Sequence, residues 1–177
     1  MSVVLVLGGA RSGKSRFAES LLQQPAHYIA TGQAFDDEMR SRISAHKKQR
    51  GEVWVTHEAP IELVSTVGGL DKIGQFILVD CLTLWLSNLM LAERDCEWEI
   101  QKLVAFLRQS TSRIVIVSNE VGLGIVPENA LARRFRDLQG LANQGVAAIA
   151  MQVVFIAAGL PLALKGPLPE PQPTQLE

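Results

Sequence analysis

Six short apolar runs recur along the chain: Val3–Leu7, His27–Ala30, Val53–Thr56, Phe76–Asp80, Ile114–Ser118 and Val153–Ala158. Val3–Leu7, short and rich in β-branched residues, predicts a strand buried on both faces, and the other runs read as strands as well. Most of the segments between them carry apolar residues at helical spacing. The alternation predicts an α/β fold with a mostly parallel sheet flanked by helices. In such sheets ligands gather beyond the carboxyl ends of the strands, so the polar residues just after each run are the ones to inspect for chemistry.

One stretch, GVAAIAMQVVFIAAGLPLAL over residues 145–164, approaches the length of a membrane span. Leu131, Phe135, Leu138, Ala142 and Ile149 carry a helical stripe into it, which predicts that its first part ends an amphipathic helix. Val153–Ala158 then predicts a buried strand, and Gly159 and Pro161 interrupt the apolar run, so no membrane span is expected. The final segment, GPLPEPQPTQLE, has four prolines and little apolar content. It predicts an extended, flexible tail over 166–177 and a single domain over 1–165.

A chain of 177 residues is long enough to bury one substantial core without metals or disulfides. Its 17 Lys and Arg against 18 Asp and Glu leave a net charge of −1, so no general attraction to nucleic acid or anionic membrane is expected. Cys81 and Cys96 make no disulfide framework, and no basic leader precedes a cleavage site. Both features predict a cytoplasmic protein with reduced thiols.

The chemistry starts after the first run. Gly8 and Gly13 frame Gly9, Ala10, Arg11 and Ser12 and are followed by Lys14 and Ser15, satisfying G-x-x-x-x-G-K-[ST] between a strand and a helix. The glycines let successive backbone N–H groups curl toward an anion, and the following helix offers its positive end to the same place. A nucleoside triphosphate fits such a cradle, with Lys14 reaching the β- and γ-phosphates and the Ser15 hydroxyl on Mg²⁺. The motif specifies phosphate and leaves the reaction open.

Other residues fit more than one role. Asp80 ends the run FILVD, where a P-loop protein holds Mg²⁺ with a carboxylate, and where a cap for the helix beginning CLTLWLSNL would also stand. Thr31, Gly32 and Gln33 follow the second run, at the ligand edge or in an ordinary turn. Glu58 follows VWVT and could take hydrogen bonds from a nucleoside, or face solvent. Asn119 and Glu120 form a third polar cluster at that edge, with their role open. His46 shares a helical face with Met39 and Ile43 among Arg40, Arg42, Lys47, Lys48 and Arg50. Neighbouring cations favour the neutral imidazole, the form that attacks phosphorus, but a solvated basic face is the plainer reading. His27 and His57 fit packing or solvent-facing positions.

Taken together, GGARSGKS, YIATGQAFDDEM, the RI and H of RISAH, the W, T and E around VWVTHE, VDCLTLWLSN, SNEVGLGIVPEN and RRFRDLQGLANQ resemble one family over about Val3 to Lys165. It is the bifunctional adenosylcobinamide kinase and adenosylcobinamide-phosphate guanylyltransferase family of cobalamin biosynthesis. The resemblance implies a RecA-like P-loop NTPase fold assembled as a homotrimer. It implies phosphorylation of adenosylcobinamide by ATP or GTP, then transfer of GMP from GTP to adenosylcobinamide phosphate through a histidine. That histidine falls on His46. The family's nucleotide contacts fall on residues 8 to 15, on Thr31, Gly32 and Gln33, on Lys47, Lys48, Gln49 and Arg50, and on Glu58 and Asp80. Met151 and Gln152, expected just before the last strand, stand where many members carry an acidic pair. Two other readings use the same P-loop: a kinase of another small metabolite, and a GTP-dependent switch, although no N-K-x-D element for guanine follows any strand.

Overall fold

The computed structural model describes residues 2–22, 25–33 and 54–172. Seven strands form one sheet: β1 (Ser2–Gly8), β2 (Ala26–Ala30), β3 (Trp54–Glu58), β4 (Phe76–Asp80), β5 (Arg113–Asn119), β6 (Gln152–Ala157) and β7 (Leu160–Lys165). Their order across the sheet is β3-β2-β4-β5-β1-β6-β7, parallel throughout except for the β6–β7 pair. The described helices are α1 (Lys14–Ser20), α2 (Leu63–Leu70), α3 (Leu82–Leu91), α4 (Cys96–Leu107) and α5 (Ala130–Ile149).

The uninterrupted apolar runs are explained by cover on both faces of the sheet. Val3, Leu5, Leu7, Ile77, Val79, Ile114 and Ile116 point to one side, beneath Leu63, Trp85, Leu86, Leu103 and Leu138 of α2 to α5. Val4, Val6, Leu78, Val115 and Val117 point to the other, beneath Ala18 of α1 and the following Leu21 and Leu22. Truncating a fully buried side chain such as Leu86 to alanine costs about 2–5 kcal/mol in such a setting. Polar caps set two of the helix starts. The Asp95 carboxylate accepts from Trp98 N–H at the start of α4, and Asn129 accepts from Leu131 and Ala132 N–H at the start of α5.

Three details depart from the sequence reading. The apolar stripe of α5 runs through Leu138, Ala142 and Val146, whereas Leu131 is exposed and Gln139 and Asn143 are buried. The break at Gly159 is a hairpin turn, because Ala158 and Gly159 both take positive φ (52° and 80°) and return the chain as β7. Positive φ at both loop positions matches the right-handed twist of the paired strands. Pro161 is tolerated because β7 is an edge strand. Gln152 opens β6, and β7 follows it, so Met151 and Gln152 do not precede the last strand.

No helix among the described residues is long and apolar enough to cross a membrane. Residues 166–172 carry no helix or strand, yet Pro169 is buried and the Gln172 N–H donates to the Ser20 carbonyl at 2.7 Å.

Candidate phosphate-binding site

The loop between β1 and α1 lies at the carboxyl edge of the sheet's centre. Gly8 is required by space: a Cβ there would sit 2.6 Å from both the Ile156 carbonyl oxygen and Ser12 Oγ. Gly13 is required by conformation, with φ of 95°, and Arg11 also takes positive φ (55°). Residues in such alternating conformations turn their N–H groups into a concavity that attracts anions. The hairpin turn supports the loop from behind, since Gly159 N–H donates to the Ser12 carbonyl at 2.9 Å. Ser12 Oγ is buried without a hydrogen-bond partner among the described residues.

Lys14 folds back over this loop, its Nζ donating to the Gly9 carbonyl at 2.9 Å. Burial lowers its pKa below the ordinary lysine value, partly offset by Cys81 and Asp80. The interaction places Lys14 and Asp80 in one electrostatic neighbourhood. Asp80 does not cap α3, whose N-cap is Cys81 without a side-chain bond. Its Oδ2 instead accepts the Tyr28 hydroxyl at 2.9 Å. The Cys81 thiol is pushed up to about 11 by burial and then by Asp80, so it stays protonated and is no nucleophile at neutral pH.

Strand alternation settles which of the other candidates share this face. Tyr28, Trp54 and Leu78 point toward α1, so Glu58 and Asp80, an even number of residues along the same strands, do so as well. His27 and His57 lie on the other face, with Ile29. They hydrogen-bond each other at 3.0 Å, His27 also meets Gln75 Oε1 at 3.1 Å, and neither joins the phosphate side. Thr31 is fully buried and its hydroxyl is committed, donating to the Cys81 carbonyl at 2.7 Å and accepting from Cys81 N–H at 2.8 Å. Its carbonyl accepts from Asn88 Nδ2 at 2.7 Å. The structure therefore gives Thr31 the work of joining the ends of β2 and β4, while Gly32 and Gln33 follow it half-buried. His46, Lys47, Lys48, Gln49 and Arg50 lie outside the described residues.

Sequence reasoning missed Tyr28 and a buried polar network behind β5. Ser118 Oγ donates to Asn143 Oδ1 at 2.7 Å, and Gln139 Nε2 donates to Ser118 Oγ at 2.8 Å and to Asn143 Oδ1 at 3.1 Å. Asn143 Nδ2 then donates to the Asn119 carbonyl at 3.1 Å. The signal was present, because Gln139 and Asn143 stand four apart and adjoin the apolar stripe of α5. Tyr28 gave no signal, since an aromatic residue inside a strand reads as packing.

The sequence matches the family described as CobU, cobinamide kinase / cobinamide phosphate guanyltransferase, over residues 4–164. It is 46% identical over 167 residues to the bifunctional adenosylcobalamin biosynthesis protein CobP of Pseudomonas aeruginosa, covering 92% of this chain and 96% of that one. It is 41% identical over 180 residues to the bifunctional adenosylcobalamin biosynthesis protein CobU of Salmonella typhimurium, covering 92% and 99%. The protein of that name from Escherichia coli is 39% identical over 180 residues, with the same coverages. Among solved structures, the P4 protein from bacteriophage phi6 in complex with ADP aligns with a TM-score of 0.52 at 18% identity. That alignment covers 90% of this chain and 52% of the phage protein, so this chain spans about half its length, and the likeness shows the fold alone. By its match over nearly the whole chain, this protein belongs to the cobinamide kinase / cobinamide phosphate guanyltransferase family.

Proposed function

We propose that the chain phosphorylates the aminopropanol hydroxyl of adenosylcobinamide with ATP or GTP, and then transfers GMP from GTP to the new phosphate. The products are adenosylcobinamide-GDP and pyrophosphate. The observation that carries the reading is family membership over residues 4–164 in a chain whose phosphate loop is intact. In the first step the substrate hydroxyl attacks the γ-phosphorus, the bond from the bridging oxygen to that phosphorus breaks, and the electron pair stays on the nucleoside diphosphate. The loop over residues 8–15 holds the phosphates, and the Lys14 ammonium offsets charge on the β- and γ-oxygens.

Ser15 and Asp80 supply a hydroxyl and a carboxylate oxygen, the hard donors Mg²⁺ prefers, and Asp80 ends β4 on the face of the sheet that α1 covers. These residues fit the ion. When bound, Mg²⁺ neutralises charge on the β- and γ-phosphoryl oxygens. In the second step His46 attacks the α-phosphorus of GTP, an N–P bond forms and pyrophosphate leaves. A phosphate oxygen of the cobinamide then displaces the imidazole, so one difficult displacement becomes two easier ones. Gly32, Gln33, Lys47, Lys48, Gln49, Arg50 and Glu58 complete our proposed nucleotide contacts, with Thr31 fixing the backbone beneath Gly32.

We further propose a cytoplasmic homotrimer whose catalytic domain spans 1–165. The alternating Leu160, Leu162 and Leu164 of edge strand β7 are all more than half exposed, which supports self-association. The test of the two-step reading is mass spectrometry of adenosylcobinamide incubated with the protein and Mg-ATP, before and after GTP is added. Monophosphate first and the GDP derivative second is the expected order. Nucleotide hydrolysis with unchanged corrinoid would contradict the reading.

A further inference from the structure

We propose that the Asn119 carboxamide donates a hydrogen bond to the γ-phosphoryl group and aligns it for attack in the kinase step. The inference deepens the reading given above and rests on the P-loop as the seat of the phosphoryl donor.

Four observations carry it. First, Asn119 ends β5, directly opposite Gly8, the first glycine of the phosphate loop, and the next residue's N–H donates to the Gly8 carbonyl at 3.1 Å. Second, Ser118 points to α5, where it bonds Asn143, so strand alternation sends Asn119 to the opposite face with Val115 and Val117, beneath α1. Asp80 ends the adjacent strand β4 on that same face, which puts loop, Lys14, Asp80 and Asn119 around one space. Third, the carboxamide is half-buried and makes no hydrogen bond among the described residues. An amide at such a depth wants a polar partner, and a phosphate oxygen is an acceptor for its N–H₂.

The fourth observation is how firmly its backbone is held. Thr83 Oγ1 accepts the Asn119 N–H at 2.8 Å from α3, and Asn143 Nδ2 donates to the Asn119 carbonyl from α5. Asn143 is fixed in turn by Ser118 and Gln139. Thr83, Ser118, Gln139 and Asn143 are all buried polar residues, each costly to leave unmatched. Packing alone would be served by apolar side chains. The polar network, in which only Gln139 Oε1 lacks a partner among the described residues, instead fixes one backbone geometry, which a residue aimed at a transferring group needs. Glu120, the other polar residue after this strand, is turned onto Gly122 N–H at 2.7 Å.

During transfer the new O–P bond forms while the bond from γ-phosphorus to the β–γ bridging oxygen breaks. The electron pair leaves with ADP, and the hydroxyl proton passes to solvent. Asn119 exchanges no proton, and its N–H₂ holds an equatorial oxygen while charge spreads over that group. The test is kinase turnover and equilibrium binding of Mg-ATP and Mg-ADP for Asn119→Ala, Asn119→Asp and Thr83→Val, with thermal unfolding of each. Asn119→Ala is expected to lower kcat about 100-fold, the usual loss for one aligned donor, with the nucleotide KM changed less than about threefold. Asn119→Asp sets a carboxylate against the γ-phosphate and is expected to weaken ATP at least about tenfold more than ADP. Thr83→Val, which acts through Asn119, is expected to lower kcat by a smaller factor at unchanged KM.

Unchanged kcat in a folded Asn119→Ala, or equal loss of ATP and ADP binding in Asn119→Asp, would overturn the inference and leave the two-step function standing. If Lys14→Ala retains full ATP binding and kinase turnover, the P-loop reading itself falls, and this inference falls with it.

Discussion

The Tyr28 hydroxyl donates to Oδ2 of Asp80 across 2.9 Å, from the strand next to the one that Asp80 ends. The bond fixes the orientation of the carboxylate that we propose as a Mg²⁺ ligand. Tyr28→Phe removes it while keeping the ring. We expect the Mg²⁺ concentration for half-maximal kinase activity to rise several-fold, with stability reduced by about 1 kcal/mol. Asp80→Asn should remove most activity at any Mg²⁺ concentration. A Tyr28→Phe titration superimposable on the unaltered protein would show that this carboxylate is held by other means.

The hairpin turn that backs the phosphate loop can be improved. Ala158 takes φ of 52°, a conformation that costs an alanine about 1 kcal/mol and suits asparagine better. Ala158→Asn should therefore raise stability by about 0.5–1 kcal/mol in denaturant unfolding, without loss of nucleotide binding. A destabilised Ala158→Asn would mean that this turn is not the twisted two-residue hairpin described.

The polar network behind β5 should be felt in stability as well as in turnover. Asn143→Leu takes the side-chain donor from the Asn119 carbonyl and the acceptor from the Ser118 O–H, while Gln139 Nε2 still donates to Ser118 Oγ. We expect about 1–3 kcal/mol of destabilisation by urea unfolding. A change below about 0.5 kcal/mol would indicate that water replaces the amide there.

Two pH windows follow from groups away from the phosphate site. Asp71 accepts from Ser110, Thr111 and Ser112; burial alone would raise its pKa, but these bonds together hold it below the ordinary aspartate value. Its carboxylate therefore contributes stability above about pH 4 that is lost as the pH falls through the depressed folded value. His57 is lowered by burial first and by His27 second. The unfolded chain then takes up the proton first, and stability declines as the pH falls below about 6.5. Unfolding followed from pH 8 to pH 3 should show His57→Gln flattening the upper window and Asp71→Asn the lower. An unchanged slope in either variant would remove that group from the account.

The central strands were legible because burial on both faces leaves a short run of β-branched apolar residues, as in Val3–Leu7 and Phe76–Asp80. The phosphate loop was legible because its glycines answer to steric demands that sequence displays directly, as the contacts at Gly8 show. Strand β7 was not, since Gly159 and Pro161 break a pattern on an edge where neither residue breaks the ladder. Thr31 illustrates the converse: a small polar residue at the ligand edge looks like a contact, and only the bonds to Cys81 reveal that its hydroxyl is used within the fold. Tyr28 was hidden because its partner Asp80 lies on another strand, brought near only by the strand order.

The most direct measurement of the proposed function uses GTP labelled separately at the α- and γ-phosphates, incubated with the protein and Mg²⁺ and then denatured. Acid-labile, base-stable label on the chain from α-labelled GTP alone, lost in His46→Ala while nucleotide binding persists, is the predicted result. Label from the γ-phosphate, or α-label that survives in His46→Ala, would contradict it.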